Sequence, residues 1–289
     1  MIDLETEREL LVRTIRILTE RTRSLDVELH LSEPRRMSWG AGAAFRGLLG
    51  WLFQAEAPDL LERVFKPGEG GHAQSGLAIR SLNLKDERRP LFRLTVFGDP
   101  GQFPERIRDL IRKRLPGLRF GETEICSVLT GEILAPAELR LTDYSFSMTG
   151  DFRFETPVRL KRHKEIVNAA EFSLAHLASG AAERLLALGA QFGGLKEAEM
   201  PDPSPLVMGA ALATPLRRSI RWLSQSRISD VSGKTVCMDG CGGNFTYAHI
   251  PRETALLLEW GASVNLGKLT SAGCGAYSVR WRGNITGRE

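Results

Sequence analysis

The stretch Leu258-Glu259-Trp260-Gly261-Ala262-Ser263-Val264-Asn265-Leu266-Gly267-Lys268-Leu269-Thr270-Ser271-Ala272-Gly273-Cys274-Gly275-Ala276-Tyr277 sets four glycines and one lysine between an apolar run and an aromatic residue. Glycine permits positive φ and close backbone approach to a ligand, and successive N–H groups in such a turn form an anion-binding concavity. A nucleotide phosphate loop does not fit. The G-x-x-x-x-G-K-[S/T] pattern puts a hydroxyl after the lysine for Mg²⁺, whereas five residues separate Gly261 from Gly267 and Leu269 follows Lys268. The bland alternative is a Gly-rich β-turn in a packed domain.

Upstream, other landmarks occur in order: Ala44-Phe45-Arg46-Gly47-Leu48-Leu49-Gly50, Arg93-Leu94-Thr95-Val96-Phe97-Gly98, Phe152-Arg153-Phe154-Glu155-Thr156-Pro157-Val158-Arg159-Leu160-Lys161, Arg227-Ile228-Ser229, and Met238-Asp239-Gly240 with Gly242-Gly243. With the glycine-rich stretch, these resemble the RAMP superfamily of CRISPR RNA-binding proteins, and within it the branch that cleaves CRISPR repeat RNA. The resemblance spans most of residues 25–280. It implies an α+β fold of two tandem ferredoxin-like (RRM/RAMP) domains with antiparallel sheets and a C-terminal glycine-rich loop at 261–277. The expected boundaries are 1–142 for the first domain, with a basic helix within 1–24, and 143–289 for the second.

The 289 residues hold one large domain or two ordinary ones. Hydrophobic content of 42% is too high for a disordered chain. No apolar run approaches the ~20 residues of a membrane helix, and the acidic start Met1-Ile2-Asp3-Leu4-Glu5 is unlike a signal peptide. A cytoplasmic protein without membrane contact is expected. The net charge is +4, with 31 Arg against 8 Lys. Arginine makes bidentate phosphate contacts and stacks on bases, but a GC-rich genome also favours its codons. Cys237 and Cys241 have zinc-compatible C-x₃-C spacing without a second pair or a suitably placed histidine. They read as free thiols, like Cys126 and Cys274.

Periodicity predicts a basic amphipathic helix over 4–22, strands over 25–31, 77–84, 90–97, 123–134 and 137–141, and helices over 43–54 and 104–115. In the second half it predicts a strand over 147–160, a helix over 171–188, a basic strand over 217–223 continued by 227–229, a Gly-rich turn, a helix over 254–260 and a last strand over 276–281. Helices covering one face of an antiparallel sheet suit this mixture.

Two basic clusters are candidate RNA contacts: Arg159, Lys161, Arg162, His163 and Lys164, then Arg217, Arg218 and Arg221 with Arg227 after them. Trp222 and Tyr247 lie nearby, and single-stranded RNA is held by stacking plus phosphate contacts. Arg46 and the loop residues Gly267, Lys268, Gly273 and Gly275 complete the set. Each cluster alone reads as ordinary surface charge.

The resemblance implies metal-free general acid–base cleavage to 2′,3′-cyclic phosphate and 5′-OH ends, needing no cofactor. Histidine is the usual base. His176 reads as packing, His72 as a loop residue, His163 as an RNA contact and His249 as unpartnered; the resemblance implies a base in the N-terminal region, where His30 lies before Arg35 and Arg36. No histidine follows Arg35 in the loop or the helix after it, which departs from the family pattern and prompts assignment to the type IV branch. Arg23, Arg35 and Arg36 are the alternative, stabilising the transition state by charge. The expected partners are a CRISPR repeat hairpin, the mature crRNA and effector-complex subunits. Two rivals stand beside this: a non-catalytic RAMP subunit that holds guide RNA, and an unrelated nucleotide-using enzyme.

Overall fold

A computed structural model describes residues 4–38, 40–65, 75–98, 103–136, 138–162, 165–224, 226–228 and 235–282. The first half runs α1 (Leu4–Glu20), β1 (Thr22–Leu31), α2 (Ala41–Glu56), α3 (Pro58–Phe65), β2 (Leu77–Asn83), β3 (Leu91–Phe97), α4 (Phe103–Arg114), β4 (Arg119–Phe120) and β5 (Thr123–Leu134). The second half runs β6 (Ser147–Phe154), β7 (Lys161–Arg162), β8 (Glu165–Ile166), α5 (Leu174–Leu188), α6 (Ser204–Leu212), β9 (Thr214–Leu223), β10 (Ser226–Ile228), β11 (Thr235–Cys237), β12 (Gly240–Pro251), α7 (Arg252–Val264) and β13 (Tyr277–Arg282).

The two main sheets have strand orders β2-β3-β1-β5-β4 and β13-β6-β12-β9, all pairs antiparallel. Two split βαβ units, each with its first strand central, give this order. The tandem ferredoxin-like architecture is therefore present.

Alternation decides the faces. In β1, Leu25, Val27, Leu29 and Leu31 are buried under α2 and α4 with Phe45, Phe92 and Ile111, while Ser24, Asp26, Glu28 and His30 take the opposite face. In the second sheet Phe152 stacks on Phe245 at 4.9 Å, beneath a layer including Leu177, Ala181, Leu256 and Leu258. The amphipathic helix expected near the N-terminus forms, but it is not basic: Arg8, Arg13 and Arg16 are set against Glu5, Glu7, Glu9 and Glu20, with Arg21 and Arg23 beyond its end, and Leu11, Ile15 and Leu18 join the core of the second unit, not the first. Its amphipathic stripe revealed a buried face; only tertiary packing chose the partner.

Several expected elements differ. Residues 138–140 are irregular and Leu141–Asp143 is a short 3₁₀ turn, so the expected strand over 137–141 does not form; Ala137 lies outside the described residues. The segment 226–228 does not continue β9 but pairs with β11, and Ser229 lies outside the described residues. The expected Gly-rich turn at 240–243 is the start of β12, central in its sheet. Its glycines serve close approach: a Cβ on Gly240 would lie 2.8 Å from the Val158 carbonyl oxygen, and one on Gly243, at φ +118°, would lie 2.0 Å from that of Ser219.

The units are joined by Arg80 of β2. It makes a fork-to-fork pair with Glu155 at 2.7 and 2.7 Å and also reaches the carbonyls of Ala262 and Tyr277 at 3.2 and 3.3 Å. Bidentate charge-assisted pairs fix geometry as well as energy. Nearby, Arg184 of α5 is 3% exposed with its guanidinium 5.4 Å from the Phe97 ring of β3. A cleft of about 390 Å³ remains at this junction, lined in part by Arg80, Arg93, Glu259 and Tyr277. Its cations are matched, since Arg93 forks onto Asp26 at 2.7 and 2.8 Å.

Burial raises the Glu259 carboxyl above its ordinary 4.5, only partly countered by the hydrogen bond it accepts from Trp281 Nε1 at 2.6 Å. The folded state thus holds this proton more tightly than the unfolded chain. Stability falls as pH rises from 4.5 through the folded value, by no more than ~1.4 kcal/mol per pH unit. Glu259→Gln keeps the acceptor and removes the charge. In denaturant titrations it should match wild type below pH 4.5 and be the more stable protein at pH 7; equal stability at both pH values would mean the carboxyl is not strained.

Candidate RNA-processing site

The glycine-rich segment starts inside α7, where Gly261 admits the Tyr277 ring: an added Cβ would lie 2.7 Å from its hydroxyl, which donates to the Leu258 carbonyl. From Asn265 the chain leaves the helix through a run of positive-φ residues: Asn265 (+57°), Gly267 (+81°), Leu269 (+62°), Gly273 (+89°) and Gly275 (+82°). Such a path is open to glycine and costly for most other residues.

Most of the loop's N–H groups bind protein carbonyls rather than facing a common anion. Leu266 N donates to Gly275 O, Lys268 N to Arg159 O, Cys274 N to Leu269 O, Gly275 N to Pro157 O and Ala276 N to Thr156 Oγ1, all between 2.9 and 3.1 Å. The concavity expected from the sequence is thus largely self-satisfied. What the loop offers outward is the Lys268 side chain, which is exposed.

The loop is wedged against the first unit. A Cβ on Gly42, at the start of α2, would lie 3.1 Å from Gly273 Cα and 3.1 Å from the Ala272 oxygen. Asn265 Nδ2 donates to the Ile79 carbonyl at 2.8 Å. Arg46, in the second turn of α2, donates from Nε to Ser271 Oγ at 3.0 Å with its guanidinium 4.9 Å from the Phe65 ring. Ala43, Met238, Ala272 and Cys274 form a small core beneath this contact.

Arg159 is a strut. Its guanidinium pairs with Asp239 and reaches the Cys237 carbonyl at 3.4 Å, while its own carbonyl accepts Lys268 N. It ties the β11–β12 turn to the loop, and the acid opposite it was not apparent from the sequence. Lys161 and Arg162 are exposed on the β7–β8 hairpin; His163 and Lys164 lie outside the described residues. Arg217 and Arg221 are exposed on β9. Arg218 turns to the other face and donates to the carbonyls of Phe172, Ala169 and Ala170, fastening the edge strand to the start of α5. The backbone of Arg227 lies in β10. Tyr247 is 7% exposed, so it offers no stacking surface; Trp222 is 36% exposed.

The candidate catalytic residues separate into different roles. Arg23 donates to the carbonyls of Glu20 and Thr22 at 2.9 and 2.8 Å, satisfying the end of α1. Arg35 donates to the Phe120 carbonyl at 2.7 Å and packs where Gly121 has no side chain: a Cβ there would lie 1.6 Å from Nη1. Both are structural anchors. Arg36 is exposed beside Arg35. His30 is half-buried on the polar face of β1, its Nε2 2.6 Å from Glu28 Oε1. Its carboxylate partner, two residues away, is an i,i+2 signal that the sequence carried. His176 instead caps α5, its Nδ1 2.9 Å from Ser173 Oγ, and burial holds it below the ordinary imidazole value. His249 is exposed at φ +58°, in a bulge of β12.

Burial raises the thiols of Cys241 and Cys274 to about 11 and about 12, and Cys241 Sγ donates to the Val167 carbonyl. Among the described residues no three His, Cys, Asp or Glu side chains are grouped to hold a metal. No helix among them is long and apolar enough to cross a membrane.

Residues 152–277 match the family model of the CRISPR-associated endoribonuclease Cas6. No curated protein matches the chain in sequence. Among solved structures, a Cas6 product complex is similar at TM-score 0.59 and 16% identity, covering 90% of this chain and 99% of that one. Thermus thermophilus Cas6 is similar at TM-score 0.55 and 15% identity, covering 90% and 98%. A partial Cas6-RT-Cas1–Cas2 complex gives TM-score 0.56 and 15% identity, covering 92% of this chain and 47% of that one. At these identities the structures establish the shared fold.

Gly275→Ala should test how far the loop depends on its geometry, since the new Cβ would lie 1.9 Å from the Leu266 oxygen at φ +82°. A loss of more than 2 kcal/mol is expected, roughly the strain of one forced backbone plus an overpacked contact. Gly117→Ala, at φ +85° with nothing within 4 Å, carries only the backbone strain, about 1 kcal/mol. Thermal unfolding of the pair should rank them in that order; equal losses would remove the packing argument.

Proposed function

We propose that this chain, whose residues 152–277 match the Cas6 family model, is a RAMP-type, metal-independent endoribonuclease that binds CRISPR repeat hairpins and cleaves precursor crRNA. The observation that carries this reading is the docking of the glycine-rich loop onto α2 through Gly42 and Gly273. It sets Lys268, Arg46 and the Arg159 strut along one seam between the two units.

The chemistry is a transesterification. The 2′-OH attacks the adjacent phosphorus, the P–O5′ bond breaks, and the products are a 2′,3′-cyclic phosphate and a 5′-OH. One group takes the 2′ proton and another supplies one to the leaving oxygen. Of the candidate residues, His30 has the arrangement of a base. If Nε2–H donates to Glu28, Nδ1 is left as the proton acceptor. Arg36 and Lys268 supply positive charge to the phosphate, and Lys161 and Arg162 extend the basic surface. Arg23 and Arg35 keep this geometry by closing α1 and holding the β4–β5 turn. The product stays bound as crRNA and carries the protein into an effector assembly. One similar structure is a partial Cas6-RT-Cas1–Cas2 complex, which supports such partners. The type IV assignment rests on the missing histidine after Arg35 alone.

The test is cleavage of labelled hairpin repeat RNA by purified protein in EDTA. Wild type should cut once and leave a cyclic-phosphate end. A 2′-deoxy substitution at the cut site should block the reaction; equal cleavage of that substrate would reject the 2′-OH mechanism. His30→Ala should lose roughly 10²–10⁴-fold in rate at saturating RNA, with affinity retained, and an unchanged rate would remove His30 as the base. Arg35→Ala should lower the melting temperature more than the rate.

A further inference from the structure

The face of the second sheet that points away from α5 and α7 carries an excess of positive charge. In-register pairing puts Arg153 of β6 beside Asn244 of β12 and Ser278 of β13, Arg280 beside Asp151, Arg217 beside Thr246, and Arg221 beside Gly242. Residues paired across strands share a face. Phe152, Phe245 and Val279 occupy the opposite one. Arg153, Arg217, Arg221 and Arg280 are all exposed, and none forms an ion pair among the described residues. The carboxylates nearby are few: Asp151 lies opposite Arg280, pairs with Arg282 and accepts from Thr246 Oγ1, and Glu155 holds Arg80.

Strands lie about 4.8 Å apart and alternate residues about 7 Å apart, so the four guanidinium groups frame a patch three rows deep and four strands wide. Its centre is Asn244, Thr246 and Ser219, which offer hydrogen bonds and no ring. Single-stranded RNA on the sheet of an RRM is held by aromatic side chains stacking on bases. Here Phe152, Phe154 and Phe245 all face the helices, in the stacked and tilted cluster of the core. The outward face has arginines, short polar side chains and the single carboxylate of Asp151, and no aromatic ring among these paired positions.

We infer that this face binds the phosphodiester backbone of RNA through phosphates and ribose hydroxyls, without stacking on bases and without reading sequence. This rests on the RNA-binding function proposed above and adds a second contact surface to the loop seam. Arginine suits it because its planar fork takes two phosphate oxygens at once. The same chemistry is available from a hairpin stem or from a flanking single strand.

The test compares wild type with the variant R153Q/R217Q/R221Q/R280Q, and with the same four positions as lysine, by anisotropy across a salt series. The probes are the repeat hairpin, an unstructured RNA of equal length and a shuffled version of that strand. The glutamine variant should weaken binding and flatten the plot of log affinity against log salt by about 0.7 per lost contact for a single strand or about 0.9 for a stem. The lysine variant should keep the slope. Whichever probe shows the flattening identifies the source of the backbone. The shuffled strand should lose the same factor as its parent. An unchanged slope in the glutamine variant, or a loss confined to one sequence, would overturn the inference, including in favour of an acidic protein partner. Wild type that neither binds nor cleaves RNA would instead fault the function proposed above; wild type that binds and cleaves, beside a glutamine variant of unchanged slope, would fault this face alone.

Discussion

The contact between Gly42 and Gly273 is the constraint on which the arrangement depends. Backbone meets backbone there, and a Cβ on either glycine would stand 3.1–3.2 Å from its neighbour. Because no side chain intervenes, the loop can lie directly on the first turn of α2. That brings Ser271 within reach of Arg46 and Asn265 within reach of the β2 backbone. Positive φ at Gly267, Gly273 and Gly275 shapes the loop to make the approach, while its own N–H groups are satisfied inside the fold. A loop already satisfied by its own protein is preorganised, so binding a ligand at its rim requires little further ordering.

Charge is used in two ways along the chain. One group of arginines is internal scaffolding. Arg23, Arg35 and Arg218 donate to main-chain carbonyls, and Arg80, Arg93 and Arg159 close ion pairs with named carboxylates. These hold elements together and are poorly placed to release a donor to a substrate, since a broken pair leaves a desolvated charge behind. The other group, including Lys268 and the four arginines on the open sheet, stands in solvent. In water such charges contribute little to stability but attract a polyanion over a Debye length. An arginine-rich composition therefore does not announce an RNA surface until each guanidinium is assigned to one group or the other.

His30 illustrates how far local reading carries. Its strand was legible from strict alternation, and the alternation puts it on the polar face. Glu28 two residues earlier shares that face, so their contact follows from strand geometry. By contrast, no local pattern distinguishes Arg35, which anchors the β4–β5 turn, from Arg36, which does not, because the difference lies in Phe120, far along the chain. The Gly240–Gly243 run was read as a turn because glycine most often punctuates. It forms a strand because Val158, Ser219 and Leu223 press on it from non-local segments.

The α+β alternation, the two-unit plan, the position of most helices and strands, and the glycine-rich loop with its lysine were all legible in the order of the residues alone. Those features are set by periodicity, by glycine and proline, and by order along the chain, all of which are local. Tertiary structure decided that α1 packs on the second unit, that Arg159 and Arg218 brace the fold while Arg217 and Arg221 face outward, and that Arg153 and Arg280 join them on one face. Each of those outcomes depends on strand register and on which surfaces meet, and register is fixed by cross-strand partners that one-dimensional order does not specify.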